Sequence, residues 1–282
     1  MTDAYRFRRF VNAFMLGGAV ACAAVCVAVL FLILAYVFVK GASDIDLDFF
    51  TRNPRPLGES GGGVANAIVG TVMMVALATV IAVPVGIATG IFVSEYASPL
   101  LGNVVRFIAD VMTGIPSIVI GLFVYLVLVV RTGNFSGWAG AVALAIIMLP
   151  ILARSSEEML RLVPASQREA ALALGVPQWR SIVSVVLPAA QRGLLTGSLL
   201  AIARATGETA PLLFTSLGSQ FMNLNPDKAT DALPLRIYRY AVGPYNEQHA
   251  QAWAASLVLV LLVLAFSIIA RVALGRERGT HP

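Results

Sequence analysis

Long apolar runs separated by short polar segments make up most of this chain. A transmembrane helix needs about 20 apolar residues. Six stretches approach or exceed that length: 11–39, 66–93, 107–130, 138–153, 189–214 and 250–272. Pro84, Pro116 and Pro211 fall inside these runs, where we expect kinks rather than breaks, because neighbouring helices can satisfy the freed carbonyls. The pattern predicts an all-α membrane protein with six transmembrane helices, of which the fourth is short and the fifth contains charge.

The basic residues predict the orientation of these helices. If the N-terminus is cytosolic, twelve of the 20 Lys and Arg residues lie on the cytosolic side and seven on the outer side. Many of the outer seven lie in longer loops, where positive charge orients a chain less. The first run follows Arg8-Arg9, is too long for a signal peptide and lacks a convincing cleavage site, so we expect a retained anchor. Both termini are therefore predicted to be cytosolic.

Composition agrees with a membrane location and excludes several classes of function. The chain is 58% hydrophobic and 12% charged, whereas soluble domains carry about 25% charged residues. The only lysines, Lys40 and Lys228, follow no Gly-x-x-x-x-Gly pattern, so ATP would have to bind to another chain. The net charge is +5, and the basic residues are scattered singly at the ends of apolar runs. This distribution favours contact with lipid headgroups over binding of nucleic acid. Cys22 and Cys26 have no partners for a disulfide or metal site.

We expect three divisions of the chain. Residues 1–65 form an N-terminal anchor helix and a first outer loop, 66–273 a transmembrane domain, and 274–282 a cytosolic tail. A second outer loop is expected at 215–249. Both outer loops are either surfaces that meet a partner or simple solvated connections.

The polar segment between the fourth and fifth runs, 166–188, predicts a short cytosolic helix. Ser166 and Glu169 have the spacing of a capping box. Gly175 suits a left-handed C-cap, and the proline after it prevents the helix from continuing. We therefore expect a helix from Gln167 to Leu174, with a small apolar face made of Ala170, Ala171 and Leu174.

The spacing within this segment resembles the EAA loop of ABC-importer permeases. Glu169-Ala170-Ala171, Gly175, Val185 and Leu187-Pro188 match E-A-A-x3-G-x9-I-x-L-P, with Val185 in place of Ile. The resemblance implies a type I ABC importer permease fold. It also implies that residues 166–175 form the coupling helix, which docks on an ATPase subunit that binds ATP and Mg, so that this chain needs no cofactor of its own. The coupling residues that it implies are Ser166, Glu169, Ala170, Ala171, Gly175, Leu187 and Pro188.

Five further stretches resemble the phosphate permeases of the PstA type: 66–71, 114–119, 154–160, 204–214 and 233–238. This resemblance covers roughly 66–272 and implies a multi-pass subunit of the bacterial plasma (inner) membrane. The implied partners are two ATPase subunits, a sister PstC-like permease, a periplasmic or surface phosphate-binding protein and membrane lipid. Competing hypotheses are a permease for another oxyanion (molybdate, sulfate or phosphonate) and a secondary transporter that works alone. A signalling role would be additional to transport.

Arg204 and Glu208 are the strongest candidates for the transport chemistry. If the fifth helix enters lipid near Gly193, Arg204 lies roughly 16 Å deep, where an Arg must face a polar interior. Glu208, four residues on, lies on the same helical face, so the pair is either a structural lock or an anion way-station with forked donors for phosphate oxygens. Arg154 fits a topology anchor better, although the resemblance places it in the path. Thr206, Thr209 and Ser117 are hydroxyl candidates that serve equally well in helix packing.

Overall fold

The computed structural model describes residues 2–55 and 61–275, and every regular element in those ranges is a helix. The long helices are α1 (Thr2–Gly41), α3 (Ala65–Ile91), α4 (Pro99–Gly114), α7 (Gly137–Arg161), α10 (Leu187–Thr206) and α13 (Asn246–Gly275). The shorter ones are α2 (Leu47–Thr51), α5 (Ser117–Val124), α6 (Val130–Thr132), α8 (Ala165–Ala173), α9 (Gln178–Ser181), α11 (Ala210–Thr215) and α12 (Leu233–Ala241). Single π-helical turns continue three of them, at Phe92–Tyr96, Tyr125–Val129 and Ile182–Val186.

Five helical segments within these ranges are long and apolar enough to cross a membrane. They are Phe7–Asp44, Ala65–Tyr96, Gly137–Arg161, Gln178–Thr206 and Asn246–Ile269. A sixth exists if the bent pair α4 and α5–α6 counts as one span. The prediction of an all-α membrane protein is confirmed, while the boundaries and continuity of several spans differ from the prediction.

The third predicted span is broken rather than kinked. Pro99–Gly114 and Ser117–Thr132 meet at 98°. Ile115 has extended backbone angles (φ −70°, ψ 129°), as expected for a residue before proline, whose ring disfavours the helical conformation there. The expectation of a mere kink at Pro116 was therefore wrong. The predicted start at 107 is also wrong, because α4 begins at Pro99, where the Ser98 hydroxyl accepts a hydrogen bond from the Leu101 N–H.

The fifth predicted span is wrong at both ends. The continuous helical segment starts at Gln178 and ends at Thr206. Gly207 closes α10, and Pro211 lies in the first turn of α11 instead of inside a span. Proline fits there because its missing N–H would have no partner in a first turn anyway. The fourth span is longer than predicted, because α7 continues to Arg161 through an internal Pro150.

The centre of the fold is the contact between α3 and α7. A Cβ on Gly90 would lie 2.5 Å from the Ser156 Cβ, and one on Gly86 would overlap Leu152. Small residues at such crossings let two membrane helices approach closely. Helices α10, α11 and α12 complete this core. Its buried residues are Met74, Val75, Ala78, Ala82, Leu144, Ala145, Met148, Leu152, Ala201, Ala205, Leu212, Ala232 and Leu235.

Helix α1 lies at the side of this core. It contacts α13, where the rings of Tyr36 and Trp253 meet edge to face at 5.1 Å. None of its most apolar window is buried within the chain, and Cys22 and Cys26 are both exposed. A long apolar helix with so little protein contact must be covered by lipid or by another subunit.

Candidate functional site

Arg204 lies at the end of α10, where the helix stops. The Gly207 and Glu208 N–H groups turn back to the carbonyls of Arg204 and Ala205, at 3.1 and 3.2 Å. Glu208 is thus in the connection between α10 and α11, not on the continuous helix face that we expected. The two side chains still meet, with Arg204 Nε 3.7 Å from Glu208 Oε1. Arg204 is 50% exposed and Glu208 17% exposed, so one side of the guanidinium faces away from the chain.

The structure brings Ser117 to the same place. Arg204, Ser117 and Ile115 line a cleft at the bend between α4 and α5, together with Thr113 and apolar side chains of α7. In this conformation the cleft has room for about one water molecule. The cleft in this conformation is therefore too small for an ion of phosphate size.

The two threonine candidates differ in their surroundings. Thr206 is buried, and its hydroxyl donates to the Ile202 carbonyl at 2.7 Å, a bond within its own helix. Thr209 is half-buried and precedes α11, where its carbonyl accepts from the Leu212 N–H. This geometry places Thr209, and not Thr206, in the break beside Glu208.

Arg154 belongs to a separate ionic cluster at the end of α7. Its guanidinium lies 3.3 Å from Asp110 of α4, 3.4 Å from Glu157 and 4.0 Å from Glu158. Arg106 of α4 in turn pairs with α7, since its Nε lies 2.7 Å from the buried Glu157 carboxylate. Helices α4 and α7 are therefore joined by two ion pairs, and each helix supplies the arginine of one pair and the carboxylate of the other. Among the residues that the structure describes, no ion pair or hydrogen bond joins Arg154 to Arg204, so the two arginines that the resemblance links lie in different surroundings.

Glu157 is at the centre of this cluster, and sequence reasoning missed it. Three guanidiniums contact its carboxylate: those of Arg106, Arg154 and Arg161, the last at 3.0 Å. The signal within α7 was visible, since Arg154 and Arg161 stand three and four residues from Glu157 and such spacings place side chains on one helix face. The partner in α4 was not visible, because 51 residues separate it from Glu157.

The short helix predicted between the fourth and fifth spans is α8, and it begins earlier than predicted. Its first residue is Ala165, and Pro164 precedes it with no side-chain cap. The capping box of Ser166 and Glu169 was therefore wrong, because Ser166 is already inside the first turn. Proline before the helix sets an extended entry on its own (φ −56°, ψ 138°).

The C-terminal end of α8 is as expected. Gly175 has φ +77°, a left-handed conformation that glycine adopts without steric cost. Its N–H donates to the Leu172 carbonyl at 2.9 Å, and the Val176 N–H donates to the Ala171 carbonyl at 3.1 Å. This pair of bonds is a Schellman motif, which satisfies carbonyls that the helix end would leave without partners.

The apolar face predicted for α8 is divided between two surfaces. Ala171 is buried, on the side where α8 packs against the Ile182–Val186 turn. Glu169 and Ala170 are exposed, and Leu174 is 84% exposed. Leu187 and Pro188 start α10 and line an apolar groove along α3. The chain thus presents an apolar surface around Leu174 that it does not cover itself.

A second ionic centre, also missed from sequence, lies between α3 and α12. The Asp231 side chain is fully buried and Arg236 is 3% exposed; Arg236 donates from both Nε and Nη2 to Asp231 Oδ2. Asn66, at the start of α3, donates to the same oxygen at 3.4 Å and to the Ser219 carbonyl. Burial raises the pKa of the Asp231 carboxyl, and the Arg236 charge opposes that rise. The second predicted outer loop is thus anchored to the core by α12.

Comparison with protein families gives one match over most of the chain. Residues 82–278 match the family described as binding-protein-dependent transport system inner membrane component. Two similar proteins carry the name phosphate transport system permease protein PstA. That of Yersinia pestis is 47% identical over 87% of this chain and 84% of its own length. That of Xylella fastidiosa (strain Temecula1) is 46% identical over 97% of this chain and 96% of its own.

Solved structures show the same fold at lower identity. A chain of a bacterial ABC transporter involved in the import of the acidic polysaccharide alginate aligns with a TM-score of 0.62, covering 98% of this chain and 100% of that one at 14% identity. A chain of the MetNI methionine ABC transporter, in an inward-facing conformation, aligns with a TM-score of 0.57 at 22% identity, over 74% and 91% of the two chains. These alignments establish the fold of an ABC importer permease.

Proposed function

The chain belongs to the binding-protein-dependent transport inner membrane components and, within them, to the PstA phosphate transport permeases, and on that basis we propose that it forms part of the translocation path of an ATP-driven importer of inorganic phosphate. It is a multi-pass inner-membrane permease of the ABC type, without catalytic activity of its own. A separate ATPase hydrolyses ATP, and a binding protein delivers the substrate. The alternative of a secondary transporter working alone leaves the family match and the exposed surface of α8 without an explanation.

Within the structure, the observation that carries the proposal is the exposed guanidinium of Arg204 at the end of α10. A charged group in a membrane helix must face a polar path or another subunit, because exposure to lipid is costly. Here the face away from the core is open, and the nearby bend between α4 and α5 interrupts a second helix. Irregular backbone within a membrane protein is tolerated where it lines a polar cavity or is buried in protein.

The geometry favours an anion way-station over a structural lock. A lock requires a short, buried and well-shaped pair, whereas Arg204 and Glu208 are 3.7 Å apart with Arg204 half exposed. A forked guanidinium in that position retains donors for phosphate oxygens. The nearby carboxylate weakens anion binding and so favours release. Thr209 and Ser117 complete the proposed path, together with Arg154 nearer the end of α7.

The surface of α8 supports coupling to the ATPase. Glu169, Ala170 and Leu174 are exposed, while the Schellman motif at Gly175 gives the helix a defined end. We assign α8 to the cytosolic side, with both termini cytosolic, and a domain division at 1–65, 66–273 and 274–282. In this arrangement two ATPase subunits meet α8 and its counterpart in a sister PstC-like permease. A phosphate-binding protein docks on the opposite side.

The test is replacement of Arg204 by Gln. The expected result is loss of phosphate uptake, at least tenfold, in vesicles where membrane insertion and complex assembly are unchanged. Arg192→Gln is the matched control, because Arg192 is an exposed arginine on the same helix and should retain uptake. Normal phosphate uptake by the Arg204 variant would contradict the way-station. Competition by molybdate, sulfate or phosphonate as strong as that by phosphate would favour the other oxyanion importers.

A further inference from the structure

Arg168 precedes the exposed Glu169 in α8 but points towards the transmembrane helices. Its Nη1 donates to the Val163 carbonyl at 2.6 Å, and its Nη2 donates to the Leu160 carbonyl at 2.7 Å. The same Nη2 lies 3.0 Å from Glu95 Oε1. The carbonyls of Leu160 and Val163 lie at the C-terminal end of α7, where a positive group is favoured by the helix dipole. One side chain thus connects α8 to two transmembrane segments.

Glu95 is contacted by side chains of both α8 and α9. It lies in the π turn that continues α3, its side chain is 8% exposed, and its carboxylate also accepts from the Ser94 hydroxyl at 2.9 Å. From α9, Gln178 Nε2 donates to the Glu95 backbone carbonyl at 2.9 Å. The α8–α9 segment is therefore attached to α3 at two points, before and after Gly175. Breaking the ion pair would leave Glu95 as an uncompensated, largely buried charge.

The part of α3 that carries Glu95 is in turn fixed to α7. Gly90, five residues earlier, packs against Ser156 so closely that a Cβ would reach to 2.5 Å, and Gly86 does the same against Leu152. Close-packed backbones move together, since no side-chain layer between them can deform. A displacement of α8 that passes through Arg168 therefore reaches both α3 and α7.

We infer that Arg168 and Glu95 form a joint that transmits movement of α8 to the transmembrane helices. Both are positioning residues: neither lies on the exposed surface of α8, and neither lines the cleft at Arg204. The inference rests on the proposed function, in which an ATPase displaces α8. It assigns to Arg168 the transmission of that movement, and to the exposed residues around Glu169 and Leu174 the contact with the ATPase.

The test uses the whole importer, with ATPase, sister permease and binding protein, reconstituted in proteoliposomes with radiolabelled inorganic phosphate. Arg168→Ala and Glu95→Gln should each assemble and hydrolyse ATP, yet the phosphate transported per ATP hydrolysed should fall at least tenfold. Arg192→Ala, which removes an exposed positive charge elsewhere, should keep the ratio of the unmodified complex. Unchanged ratios in both joint variants would overturn the inference. Failure of both variants to assemble would also overturn it, in favour of a purely structural role.

A conservative variant separates the ion pair from the bulk of the side chain. Arg168→Lys keeps a positive charge for Glu95 but loses the fork that also reaches the α7 carbonyls. We expect it to restore part of the transport ratio, and a Lys variant as uncoupled as the Ala variant would contradict the ion pair as the joint. Failure of the proposed function would be distinct, since the unmodified complex itself would then show no phosphate uptake.

Discussion

Replacement of Asp231 by Asn tests whether the buried pair with Arg236 is ionic. Asn has the same shape as Asp but removes the negative charge from a site where Asp231 is fully buried and Arg236 is 3% exposed. The guanidinium would then be buried without a counter-charge. Removal of one partner of a buried ion pair costs about 3–5 kcal/mol. The structure contains a matched control in Asp48→Asn, since Asp48 pairs with Arg52 at 3.0 Å with both side chains about half exposed, where the expected loss is under about 1 kcal/mol.

The assay is thermal unfolding of the purified complex, and the loss of its monodisperse peak is the quantity measured. At roughly 2–4 °C per kcal/mol for a domain of this order of size, Asp231→Asn should lower the apparent Tm by on the order of 10 °C. Asp48→Asn should lower it by about 4 °C at most. Equal small losses for the two variants would refute the reasoning. That result would mean that burial, which raises the pKa of Asp231, keeps its carboxyl neutral, so that Asn replaces it without loss of charge.

Two further predictions concern coupling and the α4–α7 contact. Glu169→Ala should leave ATP hydrolysis intact but lower the phosphate transported per ATP. Gly175→Ala should act in the same direction, because the φ of +77° at this position costs a residue with a Cβ about 1 kcal/mol. Unchanged transport ratios in both variants would show that α8 is not the docking element. Arg154→Gln should lower uptake at least tenfold, whereas Asp110→Asn, which removes only the contact of Arg154 with α4, should retain most of it if Arg154 meets the anion. Equal losses of uptake in the two variants would instead assign Arg154 to the ion pair with Asp110.

Local features of the sequence were sufficient for the helices and for the end of α8. Apolar length predicts a membrane helix because the bilayer core has a fixed thickness. Gly175 predicts the end of α8 because the left-handed conformation is a property of the residue itself. The beginning of α8 was predicted wrongly, since Pro164 and Ser166 offer two competing starts and only the structure shows that the earlier one is used.

The candidate site was predictable in part for the same reason. The proximity of Arg204 and Glu208 follows from four residues of chain, and it survives even though the helix ends between them. Ser117 lines the same cleft as Arg204 only because α4 and α5 meet at 98°. Proline chemistry explains why a helix ends at Pro116, but the direction of the next helix depends on what it packs against.

Apolar length, composition and residue spacing are enough to predict the membrane location, the helical class, the resemblance to a phosphate permease and the short helix whose exposed surface we assign to the ATPase. Which charges meet depends instead on how the helices pack. Glu95 and Arg168 are 73 residues apart, and Arg106 and Glu157 are 51 apart. Such pairs are set by how closely the backbones of α3, α4 and α7 approach, which depends on packing around residues such as Gly90. A buried charge needs a partner, and only the packing of helices in space identifies that partner.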